Sequence, residues 1–182
     1  QLAVTSGKLL SYDKKRLRPA TKGKKMSELR QNLITRDWVI IATDRAKRPD
    51  HFTNPKQSIV PLPIHRPDCP FCVGNEEDGT LETFRLGDRT AWKVRAIGNK
   101  YPALSPTAEW MRISSGIHRK MAGIGVHEVI VEHPRHDLTT ALLSVEDIAN
   151  ILLVYRHRYV EIRKHPHIET IIIFKNHGES AG

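Results

Sequence analysis

The sequence predicts an α+β fold in which one long helix packs on an antiparallel sheet. Two observations lead to this prediction. Several short segments are rich in β-branched and aromatic residues and end at turn-forming residues, as strands do. One much longer segment carries apolar residues at three- and four-residue spacing, as an amphipathic helix does.

Four segments have the character of strands. They cover residues 38–43, 92–97, 125–132 and 170–174. The second alternates at period two and breaks at Gly98-Asn99, and the last is a continuous apolar run of the kind found in buried strands. The first and the last lead into loops with polar side chains.

Two segments between the strands lack a regular pattern. Residues 54–70 hold five prolines, too many for a helix or a central strand, and we interpret them as a surface loop. Residues 105–123 are polar and without clear periodicity, and we interpret them as a loop as well.

The helix is predicted to begin after Ser144, an N-cap residue with Asp147 three positions later. Pro166 is predicted to end it. Between them, apolar and aromatic residues recur at helical spacing: Ile148, Ile151, Leu152, Tyr155, Tyr159 and Ile162.

The basic charge lies mainly at the N-terminal end. The net charge is +9, and residues 1–25 hold eight cations and one acid, which leaves 21 cations and 19 acids elsewhere. This composition predicts a basic flexible extension before one domain over residues 26–182. The extension could bind RNA or DNA, or it could be a solvated extension upstream of an ordinary start at Met26. Tyr12 is its one aromatic residue, so nucleic acid is not the expected partner of the protein as a whole.

Membrane insertion and secretion are not expected. The chain has no run of about 18 apolar residues. Its N-terminus also lacks the order of charged, apolar and small residues of a signal peptide. The expected location is therefore the cytoplasm.

The two cysteines, Cys69 and Cys72, are too few for a disulfide scaffold and need a local explanation. Two thiolates two residues apart can form half of a tetrahedral zinc site. A redox dithiol is disfavoured because the strand before and the helix after such a motif are missing. Plain buried thiols are the third possibility. Spacing alone does not identify a further ligand among the ten histidines.

Eight short motifs follow one another along the chain: Trp38-Val-Ile, Arg45-Ala-Lys-Arg-Pro49, Cys69-Pro-Phe-Cys72, Trp92-Lys-Val-Arg95, Asn99-Lys-Tyr-Pro-Ala-Leu104, His127-Glu-Val-Ile130, Pro134-Arg-His136 and Phe174-Lys-Asn-His-Gly178. In this order they resemble the galactose-1-phosphate uridylyltransferase family of the histidine-triad superfamily. The resemblance extends from about residue 28 to the last residue. It implies a histidine-triad-like antiparallel sheet with a long packed helix, incomplete at the C-terminus.

The same resemblance implies a structural zinc site. Its ligands in this sequence would be Cys69, Cys72 and His136, with a fourth histidine expected beyond the last residue. His127 and His133 would then be strand or strand-end histidines.

The resemblance also implies contacts to the nucleotide and its phosphates. Arg45 and Arg48 would present two guanidinium groups to phosphate. Asn99 would contact the nucleotide, and Asn176 and Gly182 would lie around the phosphates.

The nucleophilic histidine is expected just after Gly182, because the family's catalytic motif follows the stretch that here covers residues 174–182. The motif His165-Pro166-His167 looks similar but precedes the strand 170–174, and histidines are favoured at a helix C-terminus in any case. The chain is therefore expected to be an N-terminal nucleotidyltransferase domain, truncated before its catalytic motif.

The leading expectation is exchange of UMP between UDP-glucose and galactose 1-phosphate through a nucleotidyl-histidine, in a homodimer that contains zinc. Lys100 stands where the uridylyl enzymes have an aspartate that reads uracil, which leaves the base open. ADP-glucose phosphorylase and diadenosine tetraphosphate phosphorylase, which transfer adenylyl groups, are the alternatives within this class. A catalytically inactive, zinc-stabilised module that binds nucleotide or RNA is the alternative outside it.

Overall fold

The computed structural model describes residues 27–42, 61–76, 80–107 and 110–176, and the backbone of residues 2–5. Within these ranges the chain forms one α-helix, α1 (Val145–Arg163), preceded by a short 3-10 helix, Thr140–Leu142. The strands are β1 Leu2–Thr5, β2 Glu28–Gln31, β3 Trp38–Ile41, β4 Glu82–Gly87, β5 Trp92–Gly98, β6 Arg112–Ser115, β7 His118–Ala122, β8 His127–Val131 and β9 Thr170–Ile173.

The strands form two antiparallel sheets. The larger has the order β4-β5-β8-β1-β9 and the smaller the order β3-β2-β7-β6. The predicted α+β class is therefore confirmed, and the four predicted strands lie close to their expected positions. The two sheets differ from the single sheet expected from the sequence, because β2, β6 and β7, which form the smaller sheet with β3, have no strand signal of their own.

Strand β1 differs from the flexible extension predicted over residues 1–25. Its backbone lies between β8 and β9 and pairs with both, with Leu2 opposite Glu128 and Ile173. Residues 6–25 lie outside the described part of the chain.

The loop predicted over residues 105–123 is wrong, because β6 and β7 form a hairpin there. Ser115 pairs with His118 across a two-residue turn in which Gly116 has a φ of 57°. Glycine adopts a positive φ without steric cost, which suits the first central position of such a hairpin turn. The sequence pattern does not predict this hairpin, because both strands carry mostly polar residues and show no alternation between apolar and polar positions.

Helix α1 begins as predicted, at a complete capping box. Ser144 Oγ accepts from the Asp147 backbone N–H, and the Asp147 side chain accepts from the Ser144 N–H. The buried stripe is shifted from the predicted one: Leu152 and Tyr159 are exposed, and Arg158 is buried. The shift follows from the partner of Arg158, which is a buried carboxylate in β8.

The main core lies between α1 and the larger sheet. It joins Ile151, Val154 and Ile162 of α1 to sheet residues Val94, Ala96 and Ile130. A second, smaller cluster contains Trp92, Ile97 and Val131, and Val73 packs against it. Val73 directly follows Cys72, so this cluster supports the cysteine loop. No helix in the described ranges is long and apolar enough to cross a membrane.

Candidate metal centre and nucleotide-binding loops

The two cysteines lie on consecutive tight turns at the C-terminal end of the proline-rich segment, before β4. The Cys69 N–H donates to Arg66 O at 3.2 Å, and the Cys72 N–H donates to Cys69 O at 3.3 Å. The Asn75 side chain closes the loop by donating to Arg66 O at 2.7 Å and to Cys69 O at 2.8 Å. These hydrogen bonds fix the backbone that carries both thiols.

His136 reaches the cysteines from the segment that follows β8. Its N–H donates to Ile64 O at 2.8 Å, which joins the two segments. The Cys72 Sγ and His136 Nδ1 atoms are 3.6 Å apart, and the ligand atoms of Cys69, Cys72 and His136 all lie within 4.8 Å of one another. A tetrahedral zinc ion with ordinary Zn–S and Zn–N bonds would separate a sulfur from a nitrogen by roughly 3.6 Å. The three residues singled out in the sequence are thus together, at a spacing that suits zinc.

The environment of Cys72 favours its neutral thiol in the absence of a bound metal ion. Burial raises the pKa of the Cys72 thiol and the adjacent Cys69 raises it further, although the Arg66 N–H works in the opposite direction. Zinc binds the thiolate, so metal binding at this site would release protons.

Glu76 joins the cysteine loop to β5. Its carboxylate accepts from the indole N–H of Trp92 at 3.0 Å and from the Gly74 N–H at 2.8 Å. Burial alone would raise the pKa of Glu76, but these hydrogen bonds and the nearby Arg95 outweigh it and hold the pKa below its usual range. Arg95 also pairs with Glu82 of β4 at 2.8 Å. The loop is therefore attached to the sheet by an ionised carboxylate.

Asn99 lies in the loop that follows β5. Its N–H donates to His127 O at 2.9 Å, and its Oδ1 accepts from the Tyr101 N–H at 2.8 Å. The side-chain nitrogen of Asn99 is 3.3 Å from Nε2 of His127. His127, predicted only as a strand histidine, is the first residue of β8 and is 5% exposed. No spacing signal in the sequence connects it to Asn99, 28 positions away.

Asn176 lies in the loop that follows β9 and is exposed. The preceding residue, Lys175, contacts the carboxylate of Glu132 and the hydroxyl of Thr140. Glu132 also accepts from the Tyr155 hydroxyl of α1, whose pKa is raised chiefly by burial. These contacts place the loop near the end of β8.

Asn99 and Asn176 are not neighbours. Gly98 pairs with Glu128 near the start of β8, whereas Lys175 contacts Glu132, four residues further along. Four residues of strand correspond to roughly 13 Å. The two asparagines could therefore contact different parts of one extended ligand, but not the same group.

The remaining predicted site residues, Arg45, Arg48 and Gly182, lie outside the described residues, as does His177. Their approach to Asn176 stays a prediction. His165 and His167 are exposed between the end of α1 and β9, at the other end of that strand from Asn176.

Comparison with known proteins gives matches over most of the chain. Residues 18–182 match the family described as galactose-1-phosphate uridyl transferase, N-terminal domain. An ADP-glucose phosphorylase from Arabidopsis thaliana is 39% identical over 159 residues, which cover 85% of this chain and 44% of the relative. A galactose-1-phosphate uridylyltransferase from Thermotoga maritima is 28% identical over 163 residues, 86% of this chain and 43% of the relative.

Solved structures agree with these matches. A crystal structure of an ADP-glucose phosphorylase from Arabidopsis thaliana with bound ADP-glucose superimposes with a TM-score of 0.52 at 35% identity, over 87% of this chain and 45% of that one. A uridylyltransferase mutant at 19% identity, with a TM-score of 0.51 over 76% of this chain and 35% of that one, shares the fold. The chain spans less than half the length of these relatives. The protein belongs to the galactose-1-phosphate uridyl transferase N-terminal domain family.

Proposed function

We propose that the chain is the N-terminal part of a nucleotidyltransferase that acts on a nucleotide sugar, with ADP-glucose favoured over UDP-glucose as the donor. The observation that carries the preference is the 39% identity to an ADP-glucose phosphorylase, against 28% to a uridylyltransferase over a similar length. The sequence analysis gave UDP-glucose as the leading donor and ADP-glucose as the alternative, and this proposal reverses that order.

Lys100 supports the same preference. It follows Asn99 in the loop after β5, at the position where the resemblance implies a uracil-reading aspartate. A cation there cannot accept a hydrogen bond from the base N–H of uracil, because an ammonium group only donates.

The phosphates would be held by cations and amides. Arg45 and Arg48 would supply the guanidinium groups and Asn176 an amide, with Gly182 allowing close approach of the backbone. Charge that develops on the phosphoryl oxygens during transfer is stabilised mainly by such donors. A hexose 1-phosphate would be the second ligand of this site.

Zinc would have a structural role at Cys69, Cys72 and His136. The 3.6 Å sulfur–nitrogen spacing and the network of hydrogen bonds that fixes the loop support this proposal. A bound ion would hold the proline-rich segment against the end of β8.

Calorimetric titration of the purified chain with ADP-glucose and, separately, with UDP-glucose tests the function. We expect ADP-glucose to bind more tightly. Tighter binding of UDP-glucose would instead identify UDP-glucose as the preferred donor. If the loop after β5 recognises the base, Lys100→Asp should raise the affinity for UDP-glucose relative to that for ADP-glucose. Binding of neither ligand would contradict the proposal.

The RNA-binding alternative makes a different prediction. Replacing the eight cations between residues 8 and 25 with glutamine leaves β1 in place. This change would abolish a salt-sensitive association with RNA if the basic extension carried it, and would leave sugar-nucleotide binding unchanged under the proposal made here. The expected homodimer can be examined on the same sample by sedimentation.

A further inference from the structure

A half-open cavity of about 220 Å³ lies on the smaller sheet. It is lined by residues of the neighbouring strands β2 and β7 and by the residues at their ends: Arg30, Gln31, His118, Arg119 and Lys120. All five side chains carry N–H donors, and three of them are cationic at neutral pH. None of the five is a position to which the family resemblance assigns zinc, the nucleotide or its phosphates.

The strand register brings two of the cations together. Arg30 of β2 and Lys120 of β7 are direct cross-strand partners. Such partners point to the same face of the sheet with their Cβ atoms about 4.5–5.5 Å apart, and like charges in this arrangement are destabilising. His118, two residues before Lys120, lies on the same face because side chains alternate along a strand. One face of the sheet therefore concentrates positive charge beside the cavity.

Glu28 compensates this charge only in part. It lies on the same face, two residues before Arg30, and one of its carboxylate oxygens accepts from Arg30 Nε at 2.7 Å. The other oxygen is 3.6 Å from Lys120 Nζ. A single carboxylate is thus shared by two cations, and Arg119 adds a third cation to the cavity. The cavity residues together with Glu28 therefore carry two uncompensated positive charges.

The cations beside Glu28 keep donors for a further acceptor. The contacts with Glu28 engage Nε and Nη2 of Arg30, so the N–H groups of Nη1 stay available. The 3.6 Å from Lys120 Nζ to Glu28 is too long for a hydrogen bond, so the ammonium donors also stay available. A phosphate monoester carries about −1.5 to −2 charges at pH 7, which matches the uncompensated charge of the cavity. Arginine and lysine are the side chains that bind phosphate in proteins.

We propose that this cavity binds the phosphate group of a small molecule, either inorganic phosphate or a phosphate monoester, with Arg30 and Lys120 as the principal ligands. The bound anion would lie between the two cations and remove their mutual repulsion. The inference does not rest on the proposed function, because it uses other residues. A charged surface that is only solvated would respond to ionic strength but would not prefer phosphate to chloride.

Titration with inorganic phosphate and, separately, with methyl phosphate tests the site. Ionic strength is held constant with chloride, and the backbone amide signals are followed by NMR. We expect the signals of residues 30, 31 and 118–120 to shift and to saturate with at least one of the two compounds. The compound that binds more tightly identifies the free ion or the ester as the preferred ligand. The inference is overturned if these signals do not saturate with either compound, or if they respond only to a short RNA oligonucleotide.

Two substitutions should change the affinity in opposite directions. Lys120→Gln should bind phosphate at least about tenfold more weakly, because a charge-assisted hydrogen bond is lost. Glu28→Gln should bind it more tightly, because the carboxylate no longer competes for the two cations. Lys164→Gln and Glu161→Gln make the same charge changes in an exposed ion pair of α1 and should bind as the wild type does. Equal affinity in Lys120→Gln and the wild type, or weaker binding in Glu28→Gln, contradicts the inference.

Discussion

Arg158 in α1 donates two hydrogen bonds to the carboxylate of Glu128 in β8, at 2.9 and 2.7 Å, and both side chains are buried. The same guanidinium lies 3.5 Å from the Thr83 carbonyl of β4. One side chain of the helix is thereby connected to two strands of the larger sheet. Glu128 follows His127, so the pair also holds the start of β8, where the Asn99 loop is attached.

Removing one partner of this pair should destabilise the fold. Glu128→Ala leaves a buried guanidinium without its carboxylate, and we expect a loss of about 3–5 kcal/mol in the free energy of unfolding. Chemical denaturation measures it. Glu161→Ala, which removes the exposed partner of Lys164 on the same helix, is the control and should have little effect. The double replacement Glu128→Leu with Arg158→Met should recover much of the lost stability. A small effect of Glu128→Ala alone would show that the pair does not hold α1 on the sheet.

The metal centre should be required for stability. We expect one zinc ion per chain, and a strong chelator should lower the midpoint of thermal unfolding because the ion joins the proline-rich segment to the end of β8. Cys72→Ser should lose the ion and the response to the chelator. His118→Ala, an exposed histidine in β7, serves as the control and should keep both. Metal analysis that finds no zinc in the wild type contradicts the proposal.

Glu76 should increase the zinc affinity of the site without coordinating the ion. Its carboxylate joins the Gly74 N–H to the Trp92 indole, and groups that orient metal ligands typically change affinity by about 10- to 100-fold when removed. We expect Glu76→Ala to bind zinc about 10- to 100-fold more weakly than the wild type. Competition with a chromophoric chelator measures the difference. Glu146→Ala, whose partner Lys93 is exposed, should bind zinc like the wild type. Equal affinities in all three proteins would show that the loop holds its shape without Glu76.

The sequence predicted the elements whose signals are local. Helix α1 combines a capping box at Ser144 with a long apolar repeat, and β9 is a continuous apolar run, so both could be located within a few residues. The hairpin of β6 and β7 has no such signal, because Ile113, Met121 and Ala122 are the only apolar residues among its nine strand residues and they do not recur at every second position. Its formation depends on pairing with β2, which local sequence does not report.

In the candidate site, too, only the features with a local sequence signal could be predicted. The spacing of Cys69 and Cys72 indicated half a metal site, but the 64 positions between Cys72 and His136 could be bridged only by family resemblance. His127 was assigned to its strand correctly, but its contacts with Asn99 and Ala103 could not be foreseen. Those contacts depend on how the loop after β5 folds back onto the start of β8, which sequence spacing does not report.

The capping box should give stability a specific dependence on pH. The hydrogen bonds from Ser144 hold the pKa of Asp147 below its usual range. A depressed pKa in the folded state contributes stability above the unfolded value, about 3.9, and loses it as the pH falls through the folded value. We expect the wild type to unfold at a higher temperature than Asp147→Asn at pH 7, and the gap to close on acidification. In a Ser144→Ala background the gap should be small at every pH. A gap that widens in acid would contradict this account of the cap.

The motif His165-Pro166-His167 should have no part in nucleotidyl transfer. Both histidines are exposed beyond the end of α1, and the four residues of β9 separate them from the loop that holds Asn176. A strand of this length, with its flanking residues, spans roughly 15–20 Å, whereas attack on phosphorus requires an imidazole at about 3–3.5 Å. Incubation with ADP-glucose or UDP-glucose labelled on the α-phosphate, followed by denaturation at alkaline pH, retains an acid-labile phosphohistidine for detection. The protein in which both histidines are replaced by alanine should carry as much label as the wild type, whatever that amount is. Label that is present in the wild type and absent from the double variant would place the nucleophile at the end of α1 and overturn the assignment.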